Sequence, residues 1–141
     1  MTSLSGVTLN DACVETYQQL KLGKKLKYII FHLNKENTEI AVEKSSDSVD
    51  YDNFLADLPE DECRWAVYDL EYEKEEGAGK RNKLTFVSWA PDSAKMKQKM
   101  AYASSKDILR RALTGIAVEI QGTDFSEVAH ENVLDKASRG H

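Results

Sequence analysis

Several things are scarce in this 141-residue chain, and each scarcity excludes something. No apolar run approaches the ~20 residues needed to cross a bilayer, so no membrane span is expected. The start, MTSLSGVTLND, has neither a basic stretch nor an apolar core, so no secretory signal is expected. There are only two cysteines, Cys13 and Cys63, both inside apolar patterns and without metal-ligand spacing. They read as reduced core residues, which suits a cytosolic or nucleocytoplasmic monomer. Histidine is scarce too: His32 falls inside an apolar strand and reads as a core residue, and His130 and His141 stand apart from it. GxGxxG, GxxxxGK[ST], GxSxG and HExxH are all missing. The acidic run Glu71, Glu73, Glu75, Glu76 alternates along an exposed hairpin, without the apolar pocket that raises a catalytic carboxyl pKa. No nucleophile, base and orienting group converge, so the expectation is a protein that is not an enzyme, with no cofactor and no metal. A net charge of −5 argues against general nucleic-acid binding.

What is present is an ordinary globular balance, 41% hydrophobic and 30% charged, enough for one domain over 1–141 with a flexible start at 1–8. The charge is unevenly spread. Acidic residues crowd 57–76, and cations gather at 21–27, 80–83, 95–99, 106–111 and 136–139. Local basic patches on an acidic chain fit recognition of one defined anionic surface.

Periodicity orders the elements. Leu9, Ala12, Cys13, Tyr17 and Leu20 recur at helical spacing, with Thr8 or Asn10 as cap and a stop near Leu22-Gly23. Tyr28–Leu33 is a continuous apolar run, a strand covered on both faces, and Ile40 and Val42 mark a half-exposed partner. A short helix with Tyr51, Phe54, Leu55 and Leu58 ends at Pro59. Arg64 to Tyr72 is a strand that leaves the core after Tyr68; a Gly-containing turn returns it as Leu84 to Trp89. A long helix spans Pro91 to Leu113, Ile116, Val118 and Ile120 form a last strand, and a closing helix lies within Phe125 to Ala137. The order αββαββαβα predicts an α/β (α+β) fold, a mixed five- to six-stranded sheet with helices on both faces.

The Pro91–Leu113 helix divides unusually at about 100° per residue. Ala101, Tyr102, Ser105, Ile108, Leu109, Ala112 and Leu113 share a core-like face. Met96, Met100 and Ala103 fall opposite, beside Lys99, Lys106, Asp107, Arg110 and Arg111. Methionines among cations on an outward face suit a protein contact surface, or are incidental apolar residues shielded by lysine stems.

SWAPDSAKMKQKMAYASSKDILRRALTG, residues 88–115, resembles the central helix of the ADF/cofilin family of actin-binding proteins. The likeness continues through SGV at 5–7, KLGKKLKYIIFHLN at 21–34, WAVYDLEYE at 65–73, GKRNKLTFVSW at 79–89 and GTDFSEV at 122–128, and its tone is most like a fungal cofilin. The resemblance implies an ADF-homology fold that binds monomeric and filamentous actin, an acidic partner, and that severs filaments and promotes their depolymerisation. It implies a surface for both actin forms at Ser5, Gly6, Lys97, Lys99, Met100, Lys106, Asp107, Arg110 and Arg111. It implies a filament-only surface at Lys80, Arg81, Lys83, Asp135, Lys136 and Arg139. Lys97 stands where relatives often carry Arg, which keeps the charge and loses a planar fork. Ser5 matches an inhibitory phosphorylation position, where a phosphate would add about −1.5 to −2 charges. Lys97, Lys99, Arg110 and Arg111 are implied phosphoinositide contacts, and other actin-turnover factors are implied partners. The implied location is cytoplasm and cortical actin structures, with the nucleus as an additional site. Two other readings are weighed beside this one: a non-severing, coactosin-like side-binder of the same fold, and a phosphoinositide-binding membrane-surface module.

Overall fold

The computed structural model describes residues 6–23, 25–73 and 79–140. Six strands form one mixed sheet: β1 (Thr8–Leu9), β2 (Tyr28–Leu33), β3 (Glu39–Ser46), β4 (Arg64–Glu73), β5 (Lys80–Trp89) and β6 (Val118–Gly122), in spatial order β1-β3-β2-β4-β5-β6. The three central pairings are antiparallel, and the two edge strands β1 and β6 run parallel to β3 and β5. Four α-helices cover the faces: α1 (Asp11–Gln18), α2 (Tyr51–Ala56), α3 (Met96–Ala112) and α4 (His130–Gly140).

The doubly apolar strands behave as expected. Tyr28, Ile30, Ala66, Tyr68 and Val87 face α2 and α4, while Ile29, Phe31, Trp65, Val67 and Phe86 face α1 and α3. Period-two alternation on a sheet buried on both sides leaves no polar position free, hence the unbroken apolar runs.

Boundaries differ from expectation where tertiary contacts decide them. Thr8 and Leu9 form a short edge strand: Thr8 N–H donates to the Thr38 carbonyl at 2.8 Å and Asn10 N–H to that of Ile40 at 2.9 Å. Two residues carry no periodic signal, so only the β3 edge reveals this strand. Val7 is also buried; residues 1–5 lie outside the described residues. Asn10 then caps α1 by accepting the Ala12 N–H at 2.9 Å, and the helix widens into a π turn over Gln19–Gly23.

Leu70 and Tyr72 are buried, so β4 stays on the core through Tyr72: α4 lies against it, a contact that local alternation could not announce. His32 is only half-buried, its ring 4.0 Å from Glu43, so it is not a core residue. Glu43 instead grips Arg64 with both oxygens, at 2.8 and 3.1 Å. The closing helix begins at His130, since residues 125–128 make turns.

Candidate functional site

The long helix starts five residues later than the sequence predicts. Pro91–Lys95 is a turn: Ala94 N–H donates to the Pro91 carbonyl, Asp92 N–H to the Thr123 carbonyl at 3.1 Å, and Ser93 Oγ to the Glu60 carbonyl at 2.8 Å. These cross-links to two other loops hold the Pro91 segment out of the helix. Lys95 becomes the N-cap and makes no side-chain capping bond.

Three ties fix α3 on the sheet. Tyr102 packs its ring on Trp65, centroids 4.5 Å apart, and its hydroxyl accepts the Leu33 N–H at 2.9 Å. Gln98 Oε1 accepts the Cys63 N–H at 2.7 Å. At the far end, Tyr17 and Lys21 both donate to the Thr114 carbonyl, and Gly115 (φ +95°) turns the chain in the left-handed region. The expected core face is realised, with Tyr102, Ser105, Ile108, Leu109 and Leu113 buried.

The opposite face is an open apolar and cationic stripe. Met96 and Met100 are 68% and 65% exposed, far more than a half-buried helix requires. Lys95, Lys97, Asp107 and Arg111 are exposed around them. Lysines at 95, 97 and 99 crowd the positive end of the helix dipole, and the first turn holds no acidic residue. That arrangement is locally unfavourable and complements an anionic group brought from outside. Lys95 is absent from the sequence-derived set; its signal was the KMKQK run, hidden by placing the helix start at Pro91.

The remaining α3 cations differ from expectation. Lys99 leans back, its Nζ 3.1 Å from the Asp92 carbonyl. Lys106 and Arg110 turn towards β6 and share one oxygen of Glu119, at 3.7 and 3.3 Å. They flank the stripe as half-buried ion pairs. Glu119 carried no sequence signal, since only the sheet edge places it beneath the helix. Gly6 is exposed with φ +84°, next to β1, which packs against α3; Ser5 lies outside the described residues.

A second cationic region forms where β5 meets α4. Arg81 is exposed opposite Tyr72. Lys83 donates to the Ala137 carbonyl at 2.6 Å and lies 5.5 Å over the Tyr72 ring, so it anchors α4 near its negative dipole end. Lys136 donates to the Glu119 carbonyl at 2.7 Å, and Arg139 meets Asp135 one turn back at 2.9 Å. Tyr72, Leu134 and Asp135 line a shallow groove between them. The backbone of Lys80 pairs with Glu73; its side chain lies outside the described residues. The fold thus brings Arg81, Lys83, Asp135, Lys136 and Arg139 into one region, away from the Met100 stripe.

Both cysteines are buried free thiols, and burial pushes that of Cys13 up to about 12, so neither is an activated nucleophile. Among the described residues no group of His, Cys, Asp or Glu is arranged to hold a metal ion, and no helix is long and apolar enough to cross a membrane.

Proteins of related sequence and the same fold are known. The family described as "Cofilin/tropomyosin-type actin-binding protein" matches residues 6–138. Cofilin of Mycosarcoma maydis is 62% identical over 135 residues, covering 96% of each chain. Cofilin of Schizosaccharomyces pombe is 56% identical over 137 residues, covering 97% of this chain and 98% of that one. A crystal structure of Streptomyces griseoflavus cofilin superposes with a TM-score of 0.91 at 97% identity, covering 96% of this chain and all of that one.

Proposed function

The chain belongs to the cofilin/ADF family of actin-binding proteins, and from that premise we propose that it binds actin monomers and filaments, severs filaments and speeds subunit loss. The observation that carries this reading is the exposed Met96–Met100 stripe among Lys95, Lys97 and Arg111 on a helix whose other face is locked into the core.

Exposed ion pairs contribute only about 0–1 kcal/mol each, so cations alone make a poor anchor. Met100 supplies apolar burial at the centre, and the lysines orient an acidic partner around it. The Arg81 and α4 region engages a neighbouring filament subunit, and gripping two subunits at once changes their relative twist. A phosphate at Ser5 adds about −1.5 to −2 charges to a chain whose proposed partner is acidic, and so weakens partner binding. Lys97, Lys99 and Arg111 also suit a phosphoinositide headgroup, which would compete with actin; Arg110, held by Glu119, is a weaker contact. The proposed place of action is the cytoplasmic actin cytoskeleton.

Co-sedimentation with filaments, together with microscopy of filament length, tests the reading. Wild-type protein should pellet with filaments and shorten them. Lys97→Ala with Lys99→Ala should keep the circular dichroism spectrum and lose binding to both actin forms. Filaments that are decorated and stay long would favour a non-severing side-binder. Full retention of binding by the double variant would remove the α3 face from the interface.

A further inference from the structure

Between α3 and the β5–β6 end of the sheet lies a cavity of about 170 Å³. Its walls are mostly apolar, with the rings of Trp65 and Tyr102 on the α3 side of the sheet, and no aspartate or glutamate lines it. An apolar cavity near 150 Å³ is large enough to hold a benzene-sized ligand. Into it faces Ser88, whose Oγ is buried and has no hydrogen-bond partner among the described residues. A buried hydroxyl left unpaired is uncommon and calls for an occupant that pairs it.

The charges at the rim set the occupant's charge. Arg64 is neutralised by Glu43 and Glu62. Lys106 shares Glu119 with Arg110. Lys99 meets a neutral group, the Asp92 carbonyl. About one positive charge therefore stands uncompensated at the mouth, above an apolar floor and a hydroxyl in need of a partner. We propose that this cavity binds a small planar molecule carrying a single anionic group, such as an aryl carboxylate. The flat body packs against the Trp65 and Tyr102 rings, the carboxylate meets Lys99, and Ser88 supplies a polar contact that fixes orientation. A polyphosphorylated headgroup exceeds both the volume and the spare charge. The site opens along α3 at Lys99, Ala103 and Lys106, beside the methionine stripe, and its test does not read actin binding.

The test uses the full-length, isotope-labelled protein and three probes of one size: benzoate, benzyl alcohol and benzylammonium. Benzoate should produce saturable amide shifts confined to residues near Ser88, Ala103 and Thr123, with benzyl alcohol about tenfold weaker and benzylammonium weaker still. Ala103→Phe, which lengthens an exposed side chain at the cavity wall, should abolish the benzoate shifts while leaving the rest of the spectrum in place. Ser88→Ala should weaken benzoate several-fold. Equal binding of the three probes, benzoate shifts that persist in the Ala103→Phe variant, or no saturable shift at all would overturn the proposal; in the last case water satisfies Ser88.

Discussion

Met100 shows how little a side chain contributes to the fold when its face is turned outward. It is 65% exposed, and truncating such a residue normally moves stability by no more than about 0.5 kcal/mol. As an interface anchor the same truncation costs about 2 kcal/mol of binding, near thirtyfold. Met100→Ala is therefore expected to unfold at the wild-type denaturant midpoint and to bind actin monomers some thirtyfold more weakly. Equal affinity would mean that Met100 is only an incidental exposed residue. Lys106 and Arg110 teach the reverse lesson. Both are cations on the outward arc of the helix by periodicity, yet both are tied to Glu119, and no pattern along one helix can reveal a partner on the following strand.

At the scale of the element, α3 is a positioned tool. Its register on the sheet depends on the Tyr102 hydroxyl, which accepts the N–H of buried Leu33. Tyr102→Phe keeps the ring against Trp65 and strands that N–H, a loss of about 1–3 kcal/mol. Denaturant unfolding is expected to show this as a lower midpoint with an unchanged slope, because the surface exposed on unfolding stays the same. The sequence sets the helix start too early because Pro91 is compatible with a first turn, and the cross-links from Asp92 and Ser93 to distant loops are invisible in sequence. The core face of α3 was legible residue by residue, since a 3.6-residue period with Tyr102, Ser105, Ile108 and Leu109 in phase admits one buried side.

For the whole molecule, two surfaces on separate elements predict separable activities. Arg81 is exposed on β5, whereas Lys83 also holds the end of α4. Arg81→Ala alone is thus the clean probe: filament binding should fall in co-sedimentation while monomer binding, read by fluorescence titration, stays unchanged. Equal loss of both would join the two surfaces into one. Stability should also fall in alkali. Burial holds the Cys13 thiol and the Tyr68 hydroxyl up at about 12 each, and raises Tyr51 and Tyr102 as well. The unfolded chain releases these protons from about pH 8.5 for thiols and about pH 10 for tyrosines. Over that window the unfolded state binds fewer protons than the folded one, so stability is full below about pH 8.5 and declines towards pH 12. Denaturant midpoints measured across this range should fall, and Cys13→Ala should shrink the loss between about pH 8.5 and 10, leaving the part due to Cys63, whose thiol burial also raises. The sequence by itself determined the element order, the two-sided sheet and the outward methionines, because each is written in a period of 2 or 3.6 that burial enforces locally. Only the tertiary structure decided the β1 edge, the true head of α3, the Glu119 clasp and the gathering of Arg81 with α4, because hydrogen bonds and ion pairs between segments far apart in the chain leave no period to read.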